Sequence, residues 1–405
     1  MYDAIVVGAR CGGAATAMLL ARRGHKVLLA DRAGFPSDIP QGHFVHRHGP
    51  RCLARWGLLD RVLASNCPAV DSIVSDYDDD VVLASRDLSV DGVPLACGPR
   101  RKVLDSILIE AAARAGVEVR QRFSVEGYLS EGNQITGIRG RDAATGSTTT
   151  EHASFTVGAD GRNSALARTV HAPMYDVVPT LMFYYFSYFS GIHGADIEIY
   201  RRPGCSLFMF PTNDNVHALF AGWPISQLGE VRVDVDRALL AAAAQLPDLH
   251  ARLCAARREE RWYGAADLPN FYRKPHGCGW ALVGDAGYHK DPYLALGVSD
   301  AFRDAELLAE ALSDGWSGKT PMGVSLARYE ERRNRASRDE YQFNLQLAGG
   351  KPLPEDFVRL RVAIKHDPEA TRQYFMANQG MIPRESFFNE RNLQSLLGES
   401  ARRTA

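Results

Sequence analysis

Gly8, Gly12 and Gly13 stand between a short apolar run ending at Val7 and a stretch carrying Ala, Met and Leu at helical spacing, and Asp31 closes a second apolar run. Three glycines at a strand-to-helix turn let bare backbone lie against a pyrophosphate at a helix N-terminus, where free N–H groups and a partial positive charge attract anions. An acid at the end of the next strand accepts from a ribose hydroxyl. Strand, glycine turn, helix, strand and acid make residues 1–32 the βαβ unit that binds a dinucleotide. Against G-x-G-x-x-G the middle position is Arg10. Arginine cannot copy the close approach of glycine, but its guanidinium can itself neutralise phosphate. The unit alone does not separate NAD from FAD.

Other residues with chemical potential follow. Arg100-Arg101-Lys102 opens an amphipathic helix reaching Ala115. Three cations there oppose the helix dipole and call for an anion nearby, unless they are a plain surface cluster. His43, His46 and His48 lie close together, yet no acid or cysteine cluster at ligand spacing accompanies them, so loop or pocket histidines are the better reading than a metal site. Asp160-Gly161 and Gly284-Asp285 each end a buried apolar strand in a turn. The acidic patch Asp76 to Asp80 reads as a solvated tip.

The elements that must position these residues are legible in outline. The 405 residues suffice for two or three domains, and 47 basic residues against 48 acidic ones give no electrostatic case for nucleic acid or an anionic membrane. The seven cysteines are scattered without C-x-x-C, which indicates neither a disulfide framework nor zinc. No apolar run approaches the ~20 residues of a membrane span, and the first strand leaves no room for a signal peptide, so a soluble cytoplasmic protein is expected. From Thr180 to Pro224 long β-like runs are dense in aromatics. In period-2 strands one face packs and the other meets a neighbour or a cavity. Val231 to Arg258 reads as helix divided by Pro247, Ser299 to Leu312 as helix, and Leu326 to Leu347 as a charged helix packed on the outside. Helical pieces follow Ala348.

Four elements in fixed order carry a resemblance: the fingerprint at Gly8 to Asp31, Arg-x-x-Leu-Asp at Arg101 to Asp105, the Asp160-Gly161 turn, and Gly284-Asp285 followed by Pro292 and Gly297. The chain resembles the p-hydroxybenzoate hydroxylase-like FAD-dependent oxidoreductases, which include aromatic hydroxylases, flavin halogenases and geranylgeranyl reductases. The resemblance implies an α/β FAD-binding Rossmann-like fold of the glutathione-reductase type, with an inserted mixed β-sheet substrate domain and C-terminal helices. Residues 1–70, 99–175 and 276–320 would build the FAD domain, 71–98 and 176–275 the substrate domain, and 321–405 the helical region. It further implies that Gly8, Arg10, Gly12 and Gly13 meet the FAD pyrophosphate, with Asp31 at the adenosine ribose and Arg32 beside the adenine. Arg47, Arg101, Val125, Asp160, Gly161 and Asp285 would also face the cofactor. Pro292, Gly297 and Val298 would lie against the isoalloxazine. Leu296 stands where relatives usually carry a polar or small residue.

The implied activity is that of an FAD-dependent monooxygenase. Oxygen transfer from a flavin hydroperoxide to a bulky, aromatic small molecule needs a dry cavity, which the aromatic sheet suits. His46, Tyr185, Tyr200, Phe208 and Phe210 are the expected pocket residues. His46, His48 and Tyr200 are candidate bases, with none chosen. Electrons would come from NAD(P)H bound transiently, since there is one fingerprint only, or from a separate reductase. The implied partners are thus the substrate and molecular oxygen, with no nucleic acid. Phe208-Met209-Phe210-Pro211 lacks the tryptophans of a tryptophan-type halogenase. A prenyl or alkene reductase stays open, as does a non-catalytic flavin-binding protein. An NAD-dependent dehydrogenase would leave the Asp160-Gly161 and Gly284-Asp285 turns without purpose.

Overall fold

The computed structural model describes residues 1–39, 41–77, 81–194 and 196–404. Its first sheet has five parallel strands at its centre: Glu118–Arg120, β2 (Val27–Ala30), β1 (Tyr2–Val7), Thr148–Gly158 and Trp280–Leu282, in that spatial order. Strands buried on both faces read as continuous apolar runs, which is why Ala-Ile-Val-Val and Val-Leu-Leu-Ala were visible in sequence. Helix α1 (Cys11–Ala21) crosses from β1 to β2, and its alanines at 14, 15 and 17 are fully buried. Small side chains there let α1 pack against both the sheet and the helix Gly297–Trp316.

The second sheet has eight strands and is mostly antiparallel. Its centre is Met182–Ser190, Val216–Pro224, Cys205–Thr212 and Ile197–Arg202, joined at one edge by Ile73–Asp76 and Val82–Ser85. Alternation divides its side chains cleanly. Phe183, Tyr185, Tyr200, Leu207, Met209 and Trp223 face outward, covered by helices Val235–Ala243 and Pro247–Ala255. Phe186, Tyr188, Phe208, Phe210 and Phe220 face inward. Pro247 starts the second covering helix, as its missing N–H allows.

Four helices after Gly350 (Glu355–Ile364, Pro368–Asn378, Arg384–Phe387, Glu390–Thr404) follow the long helix Met322–Ala348. Ile364, Tyr374, Phe375 and Met376 pack in the same cluster as Phe44, Phe186 and Phe210, so this region roofs the inner aromatic face.

Two expectations change, and an alternative falls away. The helix Met322–Ala348 is charged but not peripheral: Arg333 is completely buried, donating to the carbonyls of Gly287 and Arg273. Asp76 is no solvated tip, because Arg202 grips both its carboxylate oxygens at 2.8 and 2.6 Å; Asp78 to Asp80 lie outside the described residues. Arg100 and Arg101 are buried rather than a surface cluster.

Candidate functional site

The site begins at the turn between β1 and α1. Gly8 holds φ +104°, and a Cβ at Gly13 would lie 1.8 Å from the Gly8 carbonyl oxygen, so both positions demand glycine for the fold alone. Gly12 is different. A Cβ there would meet nothing closer than 3.7 Å, at Ala301 and Val283. No side chain caps α1, and its first turn holds no acid, so its leading N–H groups stay open to an external anion.

Asp31 accepts from the backbone N–H of Ala9 and of Ala33, each at 2.7 Å, which holds the acid against the glycine turn. Arg32 is exposed beside it. Arg10 is engaged by the protein's own groups. Its guanidinium donates to Asp105 at 2.6 Å and to Ser37 at 3.1 Å, with the Phe35 ring 5.2 Å away. Asp105 is wholly buried and also accepts from Arg101, which donates in addition to Gln41 at 2.9 Å. The anion that the basic helix start calls for is therefore partly the protein's own. Arg100 sits 3.8 Å over the Tyr188 ring and pairs with Asp38 and Glu260.

Asp285 is half-buried, makes no side-chain hydrogen bond among the described residues, and adds its charge to those stabilising the Arg101 cation. Asp160 accepts from the Ala165 N–H at 2.7 Å through one oxygen; its other oxygen is buried without a partner. Gly161 follows with φ +80°. Val125 packs against the cluster of Val7, Leu28, Ala30 and Phe123, on a strand whose first residue, Phe123, donates to the Asp31 carbonyl at 2.8 Å.

Arg47 has φ +55°, an ion pair to Glu340 at 2.7 Å and a buried, unpartnered Nε. It leads to the turn Asp291–Leu294, whose backbone is pinned from several sides. The Asp291 N–H donates to Asn270 at 2.6 Å, and the Asp291 carbonyl accepts from Asn344 at 2.9 Å. Leu294 donates to Asn344 at 3.1 Å, and its carbonyl accepts from His46 Nε2 at 3.1 Å. Tyr184, on the inner face of the aromatic sheet, donates to the Asp291 carboxylate. Burial raises the Asp291 pKa to about 6. Pro292 and Gly297 at the ends of this segment are exposed, while Leu296 and Val298 are buried. The helix starting at Gly297 is likewise uncapped by any side chain.

The expected pocket residues separate. His46, Phe208 and Phe210 come together with Phe44, whose ring centroid is 4.9, 5.0 and 4.7 Å from theirs. Tyr185 and Tyr200 lie on the opposite face of the sheet, where Tyr200 donates to Glu198 in a cluster completed by Arg252. Two of the three candidate bases are engaged: Tyr200 donates to Glu198, and His46 uses both ring nitrogens, with burial lowering its pKa to about 4; His48 Nε2 lies 2.7 Å from the Ser299 carbonyl. His43, read in the sequence as a loop or pocket histidine, is fully buried between Tyr188 and Phe210, with Nδ1 at 3.0 Å from the Gly98 carbonyl and Nε2 at 3.1 Å from the Tyr188 hydroxyl. Asn270, Asn344 and Gln379 were also missed; an isolated amide carries no periodic or motif signal.

Residues 1–344 match the family described as FAD binding domain. The chain belongs to this family. It is an FAD-dependent oxidoreductase, and the uncapped α1 N-terminus, the glycine turn before it and an Asp285 carboxylate without a side-chain hydrogen bond among the described residues fit a dinucleotide cofactor there. The FAD-binding chain is 26% identical over 365 residues to a digeranylgeranylglycerophospholipid reductase of Methanosarcina mazei, covering 86% of this chain and 83% of that one. It is 28% identical over 185 residues to aklavinone 12-hydroxylase DnrF of Streptomyces peucetius, covering 42% and 37%. In fold it resembles the myxobacterial chondrochloren halogenase CndH, with a TM-score of 0.77, 21% identity and coverage of 98% and 96%. No helix among the described residues is long and apolar enough to cross a membrane.

Proposed function

We propose that this chain is an FAD-dependent monooxygenase that inserts one oxygen atom into a bulky aromatic small molecule. The observation that carries the reading is the inner aromatic face. Phe208, Phe220 and Tyr263 stay half-buried there although the C-terminal helices and Phe44 cover the sheet around them. Rings that remain accessible beneath a roof border a space for a flat apolar ligand. Reduced FAD supplies electrons for oxygen activation when bound. The residues of this chain supply the rest. We assign the pyrophosphate to Gly8, Gly12, Gly13 and the α1 N-terminus, the ribose to Asp31, and the isoalloxazine to the exposed side of Pro292 and Gly297. The aromatic rings exclude water and hold the substrate edge toward that turn, and excluding water favours oxygen transfer over loss of peroxide. Asp291 and Tyr184 hold a proton between the sheet and the turn.

A second reading has its own support. The similarity to the prenyl-lipid reductase runs along most of both chains, and the same apolar face would take an alkene, with hydride transfer replacing oxygen transfer. The test begins with the visible spectrum of the purified protein. Anaerobic reduction with NADPH and NADH follows, with phenols, aklavinone-like polycycles and prenyl lipids each present. On admitting oxygen, labelled oxygen in an aromatic product supports the monooxygenase. A saturated prenyl product formed without oxygen establishes the reductase instead. Reduction by neither nucleotide assigns electron delivery to a separate reductase.

A further inference from the structure

We propose that Gln379 and His46 are positioning residues for the flavin, tying the turn that seats the isoalloxazine to the helices that roof the aromatic face. The proposal rests on the isoalloxazine placement given above; it does not depend on whether the reaction is oxygenation or reduction.

The connection is a single chain of contacts. His46 Nε2 faces only a carbonyl, that of Leu294, so it must carry the proton and donate. Gln379 Oε1 lies 2.9 Å from Nδ1, and a flip of the carboxamide exchanges its oxygen and nitrogen in place. Burial and the Arg47 charge keep the ring neutral, so Nδ1 is an acceptor and Gln379 must turn its NH2 end toward it. One ring thus bridges the flavin-side turn and the C-terminal end of the helix Pro368–Asn378. The joint is held from the other side as well: Arg51 donates to the carbonyls of Gly380, at 2.7 Å, and Met381. Ser299, at the start of the helix after the turn, donates to the His46 carbonyl at 2.6 Å, so backbone and ring of His46 both engage this segment.

The same short helix carries Phe375 and Met376 in the cluster with Phe186 and Phe210. An occupant of the aromatic face and the flavin turn therefore bear on one helix. This helix lies beyond residues 1–344, the part that the family model matches. Its effect is mechanical and electrostatic. A neutral imidazole donates to the turn, and the turn cannot shift without breaking the His46 bond or moving the roof.

The experiment uses the full-length, FAD-loaded protein and reads the visible circular dichroism of the bound oxidised flavin, a signal that does not require turnover. The variants are Gln379→Met, which keeps side-chain volume; Gln379→Ala as a second truncation; His46→Gln; the pair Gln379→Met with His46→Gln; and Leu296→Ala, between the turn and Gly297. The expected result is a shifted flavin band in Leu296→Ala and in each single variant, with the double variant shifting no further than His46→Gln alone. A shift in Leu296→Ala with wild-type spectra for both Gln379 variants and His46→Gln overturns the positioning role while leaving the flavin placement intact. Additive shifts in the double variant overturn the coupling. An unmoved band in Leu296→Ala removes the flavin from this turn, and the proposal falls with that placement.

Discussion

Arg10 Nη1 donates to Asp105 Oδ2 across 2.6 Å, joining the glycine turn to the helix Arg101–Arg114. The departure from the glycine fingerprint thereby has a physical account. The Arg10 backbone has φ −96°, where glycine is not needed, and its side chain shares a buried carboxylate with Arg101.

Removing Asp105 leaves Arg101 buried without its main counter-charge, so Asp105→Ala is expected to cost about 3–5 kcal/mol. Arg10 is 21% exposed and supplies only one of two cations. Arg10→Gly should therefore cost much less, about 1 kcal/mol. Chemical denaturation of both variants checks the order; equal losses would show that Arg10, not Arg101, is the principal partner.

The two neighbouring glycines should fail differently. Gly13→Ala forces a Cβ into the Gly8 carbonyl and is expected to disrupt folding of the apoprotein. Gly12→Ala meets no protein atom closer than 3.7 Å and should leave apoprotein melting unchanged. If the pyrophosphate lies where we place it, the methyl group obstructs it, and FAD affinity drops at least ~10-fold, or about 1.4 kcal/mol. Titration of FAD into both apoproteins decides; wild-type affinity in Gly12→Ala would move the phosphate elsewhere.

Acid should weaken the fold in a defined window. Burial, reinforced by Arg100, lowers His43 to about 3, and burial with Arg47 lowers His46 to about 4, against an ordinary value of 6.5. A depressed histidine pKa means that the unfolded chain binds the proton first, so stability is full above about 6.5 and declines as pH falls toward 4. Asp291, raised to about 6 by burial, acts with the opposite sign: it takes up its proton in the fold first and gains stability as pH falls from 6 toward 3.8. One carboxyl offsets part of the cost of two histidines, and the net effect is loss. His43→Gln keeps a donor for Gly98 and an acceptor for Tyr188 but cannot titrate. Its acid-side loss at about pH 5 should be smaller than that of the wild type by about 2 kcal/mol. Parallel stability curves for the two proteins would refute the assignment.

The two faces of the aromatic sheet should be separable by kinetics. Phe208→Ala alters the inner face and is expected to change substrate kcat/KM at least ~10-fold, or about 1.4 kcal/mol. Tyr200→Phe removes one partner of Glu198 on the outer face, where Arg252 still donates to both carboxylate oxygens. It should cost about 1 kcal/mol of stability and leave kinetics unchanged. Altered turnover in Tyr200→Phe would place part of the substrate site on the helix-covered side.

Much of this arrangement was legible because it is local. A strand buried on both faces must be continuously apolar, a glycine turn feeding a helix must carry glycines in short order, and a helix begins where a proline such as Pro247 permits. The ordered turns at Asp160-Gly161 and Gly284-Asp285 completed the family resemblance that implied FAD. Contacts between distant segments left no such mark. Asp105 meeting Arg10, Arg333 buried inside a charged helix, and Gln379 reaching His46 all depend on which elements fold against each other, and no periodicity encodes that.

Sequence by itself therefore determined the βαβ unit at Gly8 to Asp31, the aromatic strands and the class of cofactor, since each follows from backbone geometry and hydrophobic pattern within a short stretch. Tertiary structure alone decided which side of the aromatic sheet is available. Alternation sets Tyr185 and Tyr200 opposite Phe208 and Phe210, but only packing reveals that helices Val235–Ala243 and Pro247–Ala255 cover the first pair, while Ala295 and the C-terminal helices pack in one cluster with the second. The physical reason is that a strand has two equivalent faces until something is laid upon one of them.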